Sequence, residues 1–416
     1  MKILYLAHRI PYPPNKGDKI RSFHEIRSLT KAHEVHLACL VDDPADMKYR
    51  KDLETLCQRV LAVPLGRTRS RIAGLVSLLS GGAASTGYFY SPALQRTLNR
   101  WISSETYDAA VCFSTPMAEY LFRAPAWNGG RRSIAGTPPR RVMDFCDVDS
   151  DKWRQYARES SFPGSLLFGI ESRRLLRYEM RVNQAFDHSL FVSRPEADLF
   201  AELFPGARNV HAVSNGVDHA FFSPDFSGHV GSAKPAEPPE PKLHRPALLF
   251  TGAMDYHANV DGVAWFADEM LPAIRSRCPE AVLYIVGSRP GPKVRALGAR
   301  PGIHVTGFVQ DVRPFYAQAD VCVIPLRLAR GVQNKVLEAM SMARPVVATS
   351  RANQGIRAVP GEHLLVRDTA AGFQEAVLSL LEDRTAGEDL GRRARAFVCA
   401  RHDWDRNMAG LEACLA

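Results

Sequence analysis

No uninterrupted apolar run of about 18 residues occurs anywhere in this 416-residue chain, so the sequence holds no candidate for a bilayer-spanning helix. The eight cysteines, at 39, 57, 112, 146, 278, 322, 399 and 414, form no CxxC pair and no zinc knuckle. They read as reduced, mostly buried thiols of a cytosolic protein. The loop after the first apolar run lacks G-x-G-x-x-G, which argues against a dinucleotide dehydrogenase. Nucleic acid is not an expected partner, because no zinc finger, RNA-binding signature or basic-aromatic array is present. The opening MKILYLAHRIPYPP has too few apolar residues for a signal-peptide core and reads as a first strand.

What is present is ordinary in amount and specific in order. Hydrophobic residues make up 46% and charged residues 23%, values of a globular protein with a sizeable core. The length predicts two domains of roughly 200 residues each. Lys and Arg total 53 against 44 Asp and Glu, a net charge of +9 that needs an anionic substrate, surface or partner to account for it.

Short β-branched runs alternate with helix-length amphipathic stretches, the mark of parallel βα units. Strands are expected at 2–7, 34–41, 60–65, 108–113, 141–145 and 187–192. A second series is expected at 247–252, 281–286, 303–306, 320–325, 345–348 and 363–366, with a helix over about 260–276. Between the series, residues 234–246 hold five prolines in thirteen and predict a loop or linker. The fold class implied is α/β: two doubly wound, Rossmann-like domains facing across a cleft. The expected divisions are 1–205, an interdomain strand and Pro-rich linker at 206–246, 247–400, and a C-terminal helix at 401–416. In such sheets ligands bind beyond the carboxyl ends of the strands.

Six segments carry candidate chemistry. In His8–Asp18 three prolines stiffen the loop, and Gly17 at a helix entrance lets backbone N–H groups approach a phosphate; a plain turn is the alternative. Residues 67–79 place Arg67, Arg69 and Arg71 beside an i, i+3, i+4, i+7 stripe of Ile72, Leu75, Val76 and Leu79. That pattern suits an anionic membrane surface or, equally, a core-facing helix with solvated arginines; the following Tyr88-Phe89-Tyr90 suits a headgroup layer. Asp144, Asp147, Asp149 and Asp151 include a D-x-D string, but the spacing fails as an EF-hand. Asp144 and Asp147 are therefore expected to line the cleft or cap a helix, and no metal is expected. Ser193 and Asn215 lie in FVSRPEA and VSNGVD, two further cleft-side turns. Finally, Arg330-Gly331-Val332-Gln333-Asn334-Lys335 follows a strand and enters a helix, so amides and cations can converge on a diphosphate, with Glu338 on the same helix face.

Five strings in order, FVSRPEADLF, VSNGVDHAFFSP, FTGAMDYHANVDGVAWF, VTGFVQDVRPFYAQADVCVIPL and NKVLEAMSMARPVVAT, resemble the family 4 retaining glycosyltransferases, which have the GT-B fold. HRIPYPPNKGDKIRSFHE, DFCDVDSDKWRQYA and LRLARGVQNKVLEAM are more narrowly similar to sugar transferases of exosortase, PEP-CTERM-type exopolysaccharide loci. The resemblance implies an acceptor-side first domain and a second domain that binds a nucleotide sugar. It implies that Glu338 holds the ribose hydroxyls, that Lys335 stands beside the diphosphate, and that Gly307, Phe308 and Val309 grip the base. Gly17, Gly252, Gly331, Gln333 and Asn334 would lie along the donor. Where the family carries its first glutamate this chain has Arg330, which would meet either the diphosphate or an acidic sugar. The expected reaction is metal-independent and needs no cofactor. It moves a sugar, with retention, to a hydroxyl of a lipid-linked saccharide, by a cytoplasmic enzyme peripheral at the inner face of the plasma membrane. The alternatives are a catalytically silent interaction protein of the same fold and a sugar-nucleotide epimerase.

Overall fold

The computed structural model describes residues 1–128, 138–225 and 242–416. The Pro-rich stretch 234–241 lies outside the described residues, whereas 242–246 lead into the second sheet. The chain divides into two compact units, Met1–Ser214 with Asp405–Ala416, and Asn215–Trp404.

The first unit is built on seven strands: β1 (Lys2–Ala7), β2 (Glu34–Val41), β3 (Arg59–Pro64), β4 (Ala109–Phe113), β5 (Arg140–Cys146), β6 (His188–Phe191) and β7 (Val210–Ala212). Their order is β3-β2-β1-β4-β5-β6-β7, and each pairing is parallel. Helices cover both faces of such a sheet, so its central strands are continuous apolar runs rather than alternating ones. β4, AAVCF, is buried at every residue. β7 was not foreseen as a sheet strand, being three residues long and only half-buried. It carries the first unit beyond the expected 205 to Ser214. From Asp405 on, the Trp404–Ala413 helix also belongs to this unit, tied by Lys31 to Asp405 at 2.6 Å and by His33 to Glu412 at 2.8 Å.

The second unit has six parallel strands: β8 (Ala247–Thr251), β9 (Val282–Val286), β10 (Ile303–Gly307), β11 (Val321–Ile324), β12 (Val346–Ala348) and β13 (Leu365–Val366). Their order is β10-β9-β8-β11-β12-β13. The order reverses between β8 and β11, and at such a reversal the loops leaving the two strands diverge and open a crevice. The helix expected at 260–276 is a longer run with a π turn, His257–Trp265, Phe266–Met270 and Leu271–Arg277. Pro272 has no N–H to give the preceding turn, which accounts for the wider one.

Candidate active site

In the second unit the candidate residues gather at the β8/β11 reversal. Gly252 follows β8 with φ of +150°, and a Cβ there would lie 2.7 Å from the Asn259 side chain and 3.2 Å from Lys335 Nζ. Only glycine lets the backbone pass that close. The loop after β11 supplies Arg330 to Gln333, then the Asn334–Ser341 helix begins. Gly331 has φ of +57°, and Gln333 Nε2 donates to the Arg330 carbonyl at 2.7 Å, closing the turn before the helix. The first N–H groups of a helix have no partner in a preceding helical turn; here the Gln333 carbonyl accepts from the Val336 N–H at 2.9 Å, which opens the helix.

The two loops are stitched across the reversal by Asn259. Its Oδ1 accepts from Lys335 Nζ at 2.5 Å and its Nδ2 donates to the Ala253 carbonyl at 2.9 Å. The ammonium also sits 4.6 Å from the centroid of the Phe250 ring. Burial pushes the Lys335 pKa down to about 7, with Glu338 opposing the shift. Glu338, nearly one turn later, accepts from the Tyr316 hydroxyl at 2.9 Å; burial raises its pKa, while that bond and Lys335 lower it. Tyr316 is also within 2.7 Å of Thr251 Oγ1. Asn215 Nδ2 donates to Asn334 Oδ1 at 3.3 Å, and the Asn215 carbonyl is 3.2 Å from His402 Nδ1. Farther along the same sheet edge, Gly307 accepts from the Gly287 N–H at 3.1 Å and turns with φ of +73°. It presents Phe308, 72% exposed, with Val309 half-buried behind it.

Asn259, Tyr316, Thr251 and Gly287 were missed in the sequence. A glycine directly after an apolar run, as in IVGS, was an available signal for Gly287. For Asn259 and Tyr316 nothing local distinguished them from other helix residues.

The first unit treats its candidates differently. Gly17 opens the Gly17–Leu29 helix behind an extended Lys16 with no side-chain cap. Asp144 is fully enclosed and does not line a cleft: it accepts from Arg21 Nε at 2.8 Å and from the Cys146 N–H at 2.7 Å, and pairs with Arg21 Nη2 at 2.6 Å. Arg21, itself 0% exposed, also donates to the Val213 carbonyl at 2.7 Å and pairs with Glu25 at 3.1 Å. Asp147 is half-buried, Asp149 lies 3.9 Å from Lys152, and Asp151 pairs with Arg154. Ser193 is the N-cap of the Arg194–Leu203 helix, accepting from Glu196 N.

The Arg67–Leu79 helix turns its apolar stripe outward. Ile72, Leu75, Val76 and Leu79 are 59, 56, 57 and 79% exposed, whereas Ser70 and Gly74 face inward. Small residues set that orientation: Cβ atoms at Gly74 and Gly87 would lie 3.1 Å from the Ala84 carbonyl and 2.5 Å from the Ala73 carbonyl. The core-facing alternative is thereby overturned. Phe162, Leu166 and Leu167, at the start of the neighbouring Gly164–Ala185 helix, are also exposed. Glu171 and Arg174 of that helix bind the Ala84 N–H and the Gly82 carbonyl, at 2.5 and 3.1 Å. Tyr88, Phe89 and Tyr90, expected to suit a headgroup layer, pack instead on the core, Phe89 edge-on to His8 at 5.3 Å and Tyr90 stacked on Tyr120 at 5.5 Å. Among the described residues no helix is long and apolar enough to cross a membrane.

Against known families, residues 23–216 match the glycosyl transferase 4-like domain and residues 245–383 match the glycosyl transferases group 1. The chain carries the domains of a glycosyltransferase. This glycosyltransferase is 20% identical over 412 residues to an uncharacterized 44.6 kDa protein in a cps region of Klebsiella pneumoniae, covering 97% of this chain and 96% of the other. Among solved structures it is similar to sucrose-phosphate synthase from Thermosynechococcus elongatus, with TM-score 0.70 and 14% identity over 99% of this chain and 98% of that one. It is also similar to Anabaena HepE in complex with UDP and glucose, with TM-score 0.65 and 15% identity over 100% and 99% of the two chains. These neighbours bear out the GT-B fold.

Proposed function

We propose that the protein moves a sugar, with retention, from a nucleotide sugar to a hydroxyl of a lipid-linked saccharide in exopolysaccharide biosynthesis, of the exosortase-associated kind. The observation that carries this reading is the Lys335–Glu338 pair at the β8/β11 reversal. Each side chain is held by a neutral partner, Asn259 and Tyr316, and so is placed before any ligand arrives. Cleavage of the donor leaves negative charge on a nucleoside diphosphate, and preorganised cations and amides at that charge lower the barrier. Lys335 and the N–H groups at the start of the Asn334–Ser341 helix supply them, with Arg330 in the adjoining turn. Glu338 accepts from the ribose hydroxyls, and Gly307 to Val309 flank the base. HepE was crystallised with UDP-glucose and the K. pneumoniae relative is a cps-region protein, both in keeping with this reading.

The Arg67–Leu79 helix supports a peripheral position on the inner face of the plasma membrane. An exposed apolar stripe beside three arginines seats in an anionic headgroup layer.

Thermal-shift screening against nucleotides and nucleotide sugars identifies the donor, since ligand bound to the native state raises its stability. Release of nucleoside diphosphate in the presence of membrane extract then tests transfer. No release with any donor that binds would favour the catalytically silent interaction protein; turnover of the donor without acceptor would favour the epimerase.

A further inference from the structure

At the β6–β7 edge of the first sheet, three donor side chains converge that the sugar-transfer reading does not use. The strand register places two of them. Leu190 pairs with His211, so His188, two residues before Leu190, lies on the same face of the sheet as His211. Their rings meet, with His188 Nδ1 and His211 Nε2 3.0 Å apart. The third comes from the far end of the sequence. After the Trp404–Ala413 helix the chain turns, the Cys414 N–H donating to the Leu411 carbonyl at 3.0 Å, and the Cys414 side chain is buried against this edge. One donor atom from each of His188, His211 and Cys414 lies within 4.8 Å of the others.

A second cluster among the described residues, Glu34, His36 and Glu105, has the acidic character of a cation site but is already neutralised. Lys2 Nζ lies 3.3 Å from Glu34 and 2.9 Å from Glu105, and Arg59 lies 2.5 Å from Glu105. A metal ion would have to displace both cations.

We propose that His188, His211 and Cys414 bind a divalent ion of the zinc class. Two imidazoles and a thiolate are the donors that suit Zn2+, with Zn–N of about 2.0–2.1 Å and Zn–S of about 2.3 Å. Tetrahedral donors at those lengths stand roughly 3.3–3.8 Å apart. The cluster therefore closes on an ion through side-chain shifts on the order of 1 Å, small against the rotamer freedom of half-buried histidines. On binding, the Cys414 S–H bond breaks, its proton leaves to solvent, and the sulfur electron pair forms the bond to the metal. Water completes the shell. The ion ties the last residues of the chain to the outermost strands of the first sheet, with the loop-closure constraint of a covalent clip. Nothing in this site depends on the sugar-transfer assignment.

The test is a titration of tag-free, chelator-treated full-length protein with Co2+ at pH 7.5. The expected result is one equivalent bound, with a thiolate-to-Co2+ charge-transfer band in the near ultraviolet and intense tetrahedral d–d bands in the visible, both lost when Zn2+ is added. C414S removes the charge-transfer band, and H211A loses stoichiometric binding. Absence of these bands in the wild type overturns the proposal by itself, so a variant that fails to fold cannot shelter it. A charge-transfer band of undiminished strength in folded C414S overturns it too, because another of the eight free cysteines would then be the ligand.

Discussion

The Tyr316 hydroxyl donates to the Glu338 carboxylate at 2.9 Å while standing 2.7 Å from Thr251 Oγ1, so the end of β8 and the Asn334–Ser341 helix are joined through one phenol. The carboxylate is thus aimed before a ligand is present. Tyr316→Phe removes that bond without leaving a gap, at a cost of about 1 kcal/mol. Nucleoside diphosphate affinity measured by calorimetry is expected to fall about fivefold, against roughly 10- to 100-fold for Glu338→Gln. Unchanged affinity in the phenylalanine variant would remove Tyr316 as a positioning residue.

Lys335 gives a pH signature. Its pKa near 7 in the free protein means that above pH 7 the free amine predominates. An adjacent diphosphate favours the ammonium and raises that pKa. Binding at pH 8 is therefore expected to take up nearly one proton, read as a dependence of the calorimetric enthalpy on buffer ionisation. Affinity is expected to fall as pH rises above 7. Lys335→Ala loses both effects and most turnover; near-normal turnover of the true donor in that variant would sink the leaving-group assignment.

The same shift bears on stability. Between pH 7 and about 10.4 the unfolded chain holds a proton on Lys335 that the folded chain has lost. This group's contribution therefore becomes more favourable as pH rises through that window. Lys335→Met is expected to raise the melting temperature at pH 7 more than at pH 10, as measured by calorimetry without ligand.

At Gly287 the backbone itself sets the limit. A Cβ there would lie 1.7 Å from the Gly252 carbonyl oxygen, at φ of +156°. The neighbour is main chain in the loop after β8, so it cannot swing aside as a side chain would. Gly287→Ala is expected to cost several kcal/mol and to lower soluble yield; a melting curve within a degree or two of wild type would show that the loop accommodates the methyl group.

Arg21 is fully buried in the first unit, paired with Asp144 and Glu25, both 0% exposed. Arg21→Met leaves two carboxyls buried without their cation, at a cost of about 3–5 kcal/mol. Chemical denaturation measures it. A loss below about 1 kcal/mol would show that the two carboxyls do not need the guanidinium.

For the Arg67–Leu79 helix, the exposed Leu75 and Val76 make no core contact to lose. The double substitution Leu75→Glu, Val76→Glu is expected to leave stability within about 0.5 kcal/mol while abolishing flotation with anionic vesicles. Equal flotation of wild type and variant would end the lipid reading.

Much of the fold was legible locally. β1, β2 and β8 fall within a residue of their expected bounds, because strands covered on both faces are written as unbroken apolar runs. β7 was legible only as an interdomain strand somewhere in 206–246, and not as a strand of the first sheet, since an edge strand only three residues long and half-buried carries little apolar signal. At the candidate site, Lys335 and Glu338 were marked by charge and helix spacing after a strand, and Gly252 only by the family resemblance. Asp144 was misread for a physical reason: a carboxylate at a strand end looks the same in sequence whether it meets a ligand or a buried arginine, and Arg21 stands 123 residues away. The Arg67–Leu79 stripe shows the same gap from the other side. Its periodicity established an amphipathic helix, but which face turned inward depended on the close approach of Gly74 and Gly87.

The sequence by itself determined two parallel βα series, the glycine and cation signals beyond their strands, and an excess of positive charge. The tertiary structure decided which polar groups are spent on holding the fold and which are held ready. Asn259 and Tyr316 hold Lys335 and Glu338 in place, Arg21 consumes Asp144, and Cys414 is brought beside two histidines of the first sheet. Hydrogen-bond partners far apart in sequence are brought together by strand order and register, and strand order is not written in local pattern.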